Sequence, residues 1–209
     1  MRVRLAAGII LLTALGAACA PLKSLRPQDR PNGAAFASIC GNPNLVGERA
    51  EPVVGAQSGC GIAEPVRVME VAGLRLTQAA LIDCATANAL DRWVEVGVKP
   101  AVGERGGGPD NLRVAAHYAC RTRNNRPGAR LSEHAKGRAI DIAGIGLKDG
   151  SEITVLTGWG SGADGRALRQ MWRAACGPFG TVLGPESDRF HRTHFHLDTA
   201  QYRSGSFCR

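Results

Sequence analysis

The chain has 209 residues, with 26 lysines and arginines against 18 aspartates and glutamates, giving a formal charge of +8. That length buries a sizeable core in one domain, and 44% hydrophobic with 21% charged residues excludes a globally disordered, fibrous or coiled-coil chain. Seven cysteines is an odd count, and in an exported protein the one that cannot pair needs an explanation.

The N-terminus offers one. Arg2 and Arg4 precede an uncharged, largely apolar run from Leu5 to Ala18, too short to span a bilayer as a helix, so residues 1–18 read as a signal peptide. Gly16, Ala17 and Ala18 lead into Cys19 in a lipobox-like arrangement, and Cys19 is expected to carry lipid after cleavage. Cys40, Cys60, Cys84, Cys120, Cys176 and Cys208 then remain for three disulfides, as an oxidising compartment allows. Sequence proximity suggests Cys40 with Cys60, Cys84 with Cys120, and Cys176 with Cys208. No CxxC pair is present, which argues against a zinc ribbon or a thioredoxin-like site. The expected location is the periplasm, on a membrane through the lipid anchor, with a soluble periplasmic or secreted protein as the alternative. Nucleic acid is not an expected partner of such a protein. The positive charge suits an anionic cell-wall polymer or membrane surface, or is simply a solvated basic surface.

Residues 19–34 mix proline, charge and small side chains without periodicity and read as a linker, leaving 35–209 as one domain, expected to be monomeric. Val66 to Val71 alternates as a strand. Thr77 is expected to cap a helix carrying Ile82, Ala85, Ala89 and Trp93 on one stripe. Leu112 to Cys120 reads as a strand, and Arg121 to Arg130 as a basic loop turning at Pro127-Gly128. A strand follows from Arg138 to Ala143. Another helix starts near Asp164, with Leu168, Met171, Trp172 and Ala175 on one face and Gly177 beyond its end. The last strand is Thr193 to Leu197. Helices and strands mix without a βαβ rhythm, which predicts an α+β fold.

Three of the five histidines fall in His191-Arg192-Thr193-His194-Phe195-His196-Leu197-Asp198. On a strand, alternate residues share a face, so His194, His196 and Asp198 project together while Phe195 and Leu197 enter the core. Upstream, Ser132-Glu133-His134-Ala135-Lys136-Gly137-Arg138-Ala139-Ile140-Asp141 sets a histidine before a carboxylate that lies within an apolar strand. Burying Asp141 is costly unless it meets a cation; a metal ion is the strongest candidate, and Arg138 or Arg121 the ordinary alternative. Two imidazoles and a carboxylate make the three-ligand set of a catalytic zinc whose fourth position is left to water. His117 and His191 read as ordinary polar residues, and Trp159 and Trp172 as packing. Gly103 to Gly108 lacks the GK[ST] of a phosphate loop. A cysteine nucleophile at Cys120 or Cys176 is disfavoured, because a bridged sulfur does not attack.

The motifs SEHAKGRAIDIAG and HRTHFHLD resemble those of the extensin-like C-terminal domain family of bacterial exported proteins. That family is similar in turn to the zinc D-alanyl-D-alanine carboxypeptidases and the lysostaphin and hedgehog metallopeptidase group. The resemblance spans roughly Cys40 to Cys208. It implies a small antiparallel sheet carrying the zinc ligands and flanked by helices, with Zn2+ held by His134, Asp141 and His196. It also implies His194 beside the scissile carbonyl, Arg121 at the oxyanion, and Ser132 supporting the loop or bonding a substrate carboxylate. Arg123, Arg126 and Arg130 are available for a terminal carboxylate, and Asp198 is a candidate to orient an imidazole. The implied activity is hydrolysis of peptidoglycan peptides. The sequence departs from many D-alanyl-D-alanine enzymes at Thr193, where they place an acidic base. The base is then His194, or Glu186 or Asp188 from the adjacent loop. The alternative is an inactive zinc-containing scaffold or peptidoglycan-binding lipoprotein.

Overall fold

The computed structural model describes residues 37–160 and 162–209. The expected signal peptide 1–18, the lipid site Cys19, the linker 19–34 and the domain start at residue 35 lie outside the described residues. Among those described, no helix is long and apolar enough to cross a membrane.

The fold is mixed α+β and dominated by sheet. In chain order the strands are β1 (Ala37–Ile39), β2 (Asn42–Arg49), β3 (Val53–Val54), β4 (Gly61–Ile62), β5 (Val66–Val71), β6 (Leu74–Ile82), β7 (Pro109–Ala116), β8 (Ala139–Leu147), β9 (Glu152–Thr154), β10 (Thr181–Leu183), β11 (Phe195–Asp198) and β12 (Phe207–Cys208). The helices are α1 (Cys84–Trp93), α2 (Lys99–Val102), α3 (Val155–Gly158) and α4 (Gly162–Ala175). Ten strands form one sheet in the order β1-β2-β5-β6-β7-β8-β11-β10-β12, with β9 pairing β8; β3 and β4 form a separate pair. The sheet is larger than the small one expected, and it is not wholly antiparallel, because β6 with β7 and β10 with β12 run parallel.

The strand expected at 66–71 is present as β5. It continues through Ala72-Gly73, both at positive φ, into β6 as a tight hairpin. The helix expected from Thr77 is a misreading. Leu74, Leu76, Ala80 and Ile82 are buried along an extended strand, so a strand's alternation and the hairpin outweigh the helical stripe. The cap falls six residues later than Thr77, at Asp83, whose side chain accepts the Thr86 N–H at 2.8 Å, and the helix starts at Cys84. Ala89 and Trp93 are buried as expected, whereas Ala85 is exposed. Trp93 donates its indole N–H to the Met171 carbonyl at 2.8 Å and ties α1 to α4. On α4, Leu168, Met171 and Ala175 face the core, and Gly177 lies beyond the helix end at positive φ.

Two of the three expected disulfide pairings are corrected. Cys40 bonds Cys84 and Cys60 bonds Cys120, while Cys176–Cys208 is as expected. Sheet order brings together segments that are remote in sequence: Cys40, in the β1–β2 turn, meets the first residue of α1, and Cys60, in the β3–β4 hairpin, meets the chain leaving β7.

The core residues that place the site are Ile140, Ile142, Phe195 and Leu197, all buried. They alternate with Asp141, His196 and Asp198 on paired strands, so the polar residues take the opposite face.

Candidate metal centre

β8 and β11 run antiparallel, with Asp141 directly opposite His196. β11 begins at Phe195, two residues later than expected, but the alternation holds: His194, His196 and Asp198 all line one cleft with Asp141. His134 arrives from a single 3-10 turn, Glu133–Lys136, between two fixed ends. Ser132 caps that turn, its hydroxyl oxygen 3.4 Å from the His134 backbone N–H. Gly137 closes it in the left-handed conformation, φ +67°, with its α-carbon against Ile62, where a Cβ would sit 2.3 Å from the Ile62 Cδ1. The turn delivers His134 to the start of β8, and both His134 and Asp141 are buried.

The donor atoms converge. His134 Nε2 lies 3.1 Å from Asp141 Oδ1 and 3.1 Å from His196 Nδ1, and His196 Nδ1 lies 3.0 Å from the same Asp141 oxygen. The outer side of each imidazole fixes its tautomer. His134 Nδ1 faces the His117 carbonyl oxygen at 2.7 Å and must donate to it, which leaves Nε2 as a lone pair. His196 Nε2 faces the Asp198 carboxylate at 3.0 Å and donates there, which leaves Nδ1 as a lone pair. With both imidazoles neutral, two nitrogen lone pairs and a carboxylate oxygen point at one another in a buried place, an arrangement that asks for a cation. Arginine does not supply it: Arg138 lies 3.9 Å from Asp83 instead, and Arg121 reaches only the Thr122 carbonyl, at 3.5 Å.

These three residues form a group able to hold a metal ion. In a tetrahedral site with bonds of about 2.0–2.1 Å, neighbouring ligand atoms stand about 3.3–3.4 Å apart. The observed triangle needs to open by only a few tenths of an ångström. Nitrogen with oxygen suits zinc and other first-row divalent ions alike.

The electrostatics follow from the same contacts. Burial pushes the Asp141 carboxyl up, but hydrogen bonds and charge from His134 and His196 win and hold it far below the ordinary carboxylate range. Burial pushes His196 down, but hydrogen bonds to Asp141 and Asp198 overcome it and push its pKa up to about 9. When no metal is bound, a proton on His196 occupies the gap. Asp198 is held low by its bond to His196 against the effect of burial. His194 is pulled below the usual histidine range by burial, against the attraction of Asp141, whose other oxygen lies 3.5 Å from its Nε2.

The cleft has a volume of about 690 Å3. Of the residues expected to bind substrate, Arg121 and Ser132 line it, as does Arg123. Arg126 does not line it directly; its guanidinium lies 5.7 Å from the ring centroid of Phe190, which does. Arg130 opens onto a neighbouring hollow. Glu186 turns away to accept the Trp159 indole N–H at 3.0 Å. Asp188 lines the cleft.

Sequence reasoning missed His191. It is buried, lines the cleft, and bonds Asp188 through Nδ1 at 2.8 Å, with its ring edge-on to both His194 and His196. Burial holds His191 below the usual histidine range, and the Asp188 carboxylate works against that. The available signal was the spacing His191-x-x-His194-x-His196. The residues before β11 are not extended strand, so strand alternation could not place His191. Asn124 and Asn125, successive left-handed residues in the cleft wall, were likewise unmarked.

Residues 42–209 match the family model for the extensin-like protein C-terminus, and the chain belongs to that family. No curated protein and no solved structure matches it.

Proposed function

We propose that this member of the extensin-like C-terminus family is a zinc-dependent peptidase of the cell envelope that hydrolyses peptidoglycan stem or cross-link peptides, of the D-alanine carboxypeptidase or endopeptidase type. The observation that carries this reading is the pair of imidazoles, each held by an outer acceptor, whose lone pairs meet Asp141 at the floor of an open cleft. The motif resemblance to zinc D-alanyl-D-alanine carboxypeptidases supports the substrate class. The signal-like residues 1–18 and Cys19 support export and a lipid anchor.

His134, Asp141 and His196 would hold the ion. When bound, zinc supplies acidification of a water and Lewis-acid polarisation of an amide carbonyl. The remaining work falls to this chain's side chains. His194, kept neutral near pH 7 by burial, accepts the proton of the attacking water at Nε2 and delivers it to the leaving nitrogen. The His191–Asp188 pair, packed against His194, is a second proton acceptor at the cleft wall. These imidazoles serve where Thr193 offers no carboxylate. Arg121 presents positive charge in the cleft to the developing oxyanion. Ser132 holds the His134 turn, and Arg123 is the cation in the cleft for a substrate carboxylate.

Digestion of purified muropeptides by the zinc-loaded protein tests the proposal. Product should form, vanish with chelator, return with zinc, and fall by about 10^2–10^4-fold in His194→Ala while metal content is kept. No product from a fully zinc-loaded protein at any pH would overturn the enzyme reading and leave an inactive envelope scaffold.

A further inference from the structure

Two further hollows adjoin the cleft of the candidate metal site. Arg123, Glu133 and Tyr202 line both the cleft and a second hollow, and Arg138, Gln201 and Tyr202 line that hollow and a third. The three hollows are neighbours, taken together as a groove, and Tyr202 lines all of them, half exposed and with its hydroxyl 3.1 Å from the Thr181 hydroxyl. Cations mark its length: Arg121 and Arg123 at the metal end, then Arg130, Lys136 and Arg138, and Arg92 of α1 at the far end.

The carboxylates of this groove are already engaged. Glu133 bonds Lys136 at 3.0 Å, Asp83 faces Arg138 at 3.9 Å, and Asp141, Asp188 and Asp198 are bonded to histidines. Among the described residues, no carboxylate lies within 4.0 Å of Arg92, Arg121, Arg123 or Arg130. Away from the groove Arg67 pairs with Glu48, Arg75 with Asp110 and Arg113 with Glu152, while Arg166 and Arg173 of α4 have no carboxylate of the described residues within 4.0 Å. An exposed charge contact is weak and screened by water, so a single anion would be held weakly at any one of these arginines. A chain carrying many negative charges engages them together. The concavity favours a linear chain over a flat bilayer, which cannot reach a groove floor.

We propose that the groove holds an extended polyanion, a polymer bearing carboxylates at intervals, and leads it to the metal site. This deepens the peptidase reading by naming the substrate class and rests on it, but polymer binding is measurable without turnover. The zinc-loaded protein is titrated with poly-L-glutamate, with long-chain polyphosphate and with anionic lipid vesicles. Saturable binding to poly-L-glutamate is expected, weakening at least about tenfold between about 25 and about 200 mM salt. Tighter binding of polyphosphate overturns the carboxylate assignment, and poly-L-glutamate binding is the readout for the variants. The triple variant Arg92→Glu, Arg130→Glu, Arg138→Glu should weaken it at least about tenfold at low salt, and the neutral triple to Gln at least about threefold. Arg166→Glu with Arg173→Glu, on α4 outside the groove, should leave affinity unchanged. Equal affinity in the triple variants, or binding to vesicles alone, overturns the groove. If the polymers bind but no muropeptide is cut, the peptidase reading fails and the groove stands. If a short uncharged D-alanyl peptide is cut but no polyanion binds, the reverse holds.

Discussion

Asp141 on β8 and His196 on β11 are direct cross-strand partners, and their donor atoms stand 3.0 Å apart on the face opposite Ile140 and Leu197. A ladder position thus serves as the base of the candidate metal centre, and of its three residues only His134 comes from outside the sheet. Its rigidity comes from backbone hydrogen bonding, with Asp198 two residues further along fixing the second imidazole.

That dependence is testable at Asp198. Asp198→Ala frees His196 Nε2 and releases its tautomer, so metal affinity should fall about 10–100-fold in competition with a chromophoric chelator. His117 acts on His134 through its backbone carbonyl, so His117→Ala should lose far less. Equal losses in the two variants would show that the outer hydrogen bonds do not order the ligands.

The protons of the centre set a pH dependence. His196 holds its proton up to about 9 in the folded, metal-free state, above its ordinary 6.5. Its contribution to stability is therefore complete below about 6.5 and is lost as pH rises through 9. Asp141 runs the other way: its pKa lies below the ordinary 3.8, so its contribution is present above about 3.8 and drains away as pH falls through its lowered value. Chelated protein should show its highest Tm between about pH 4 and 6.5, with a decline toward pH 9. Zinc competes with the His196 proton, so its affinity should rise about tenfold per pH unit up to about 9, and the Tm gain on adding zinc should widen over the same range. A flat Tm for the chelated protein from pH 6 to 9 would contradict this.

Gly137→Ala adds a Cβ to a left-handed residue against Ile62, at the end of the turn carrying His134. Loss of about 1–3 kcal/mol is expected in denaturant unfolding, together with weaker metal binding. Gly128→Ala, also left-handed but with open space at the Cβ, should cost only the backbone part, about 1 kcal/mol, and spare the metal.

The disulfides should separate in the same way. In the chain-entropy treatment, Cys60–Cys120 and Cys176–Cys208 each contribute about 4 kcal/mol. Only the former adjoins the ligand turn, since the Ala119 N–H donates to the His134 carbonyl at 3.2 Å and the Arg121 carbonyl accepts the Ser132 N–H at 3.0 Å. Replacing either pair by serines should lower Tm. Metal affinity should fall markedly only in Cys60→Ser/Cys120→Ser.

The sequence by itself determined the α+β class, the strand at 66–71, the amphipathic helix before Gly177 and the ligand motifs. Each is a local pattern: a period, a cap, or spacings that put His196 and Asp198 on one face. It also predicted that Asp141, inside an apolar strand, meets something cationic, because desolvation alone requires that. Tertiary structure decided the rest. The pairing of Cys40 with Cys84 and of Cys60 with Cys120 depends on which strands become neighbours in a ten-stranded sheet, which sequence proximity does not encode. The 74–82 segment became strand because the hairpin at Ala72-Gly73 joined it to β5, where an isolated stripe suggested helix. His191 entered the cleft through an irregular segment that has no period to read, and it met Asp188 there. The convergence of lone pairs, the physical reason to expect a metal, arises because β11 lies beside β8 in a register that puts His196 opposite Asp141. Register is a property of two paired strands, so neither strand's sequence contains it alone.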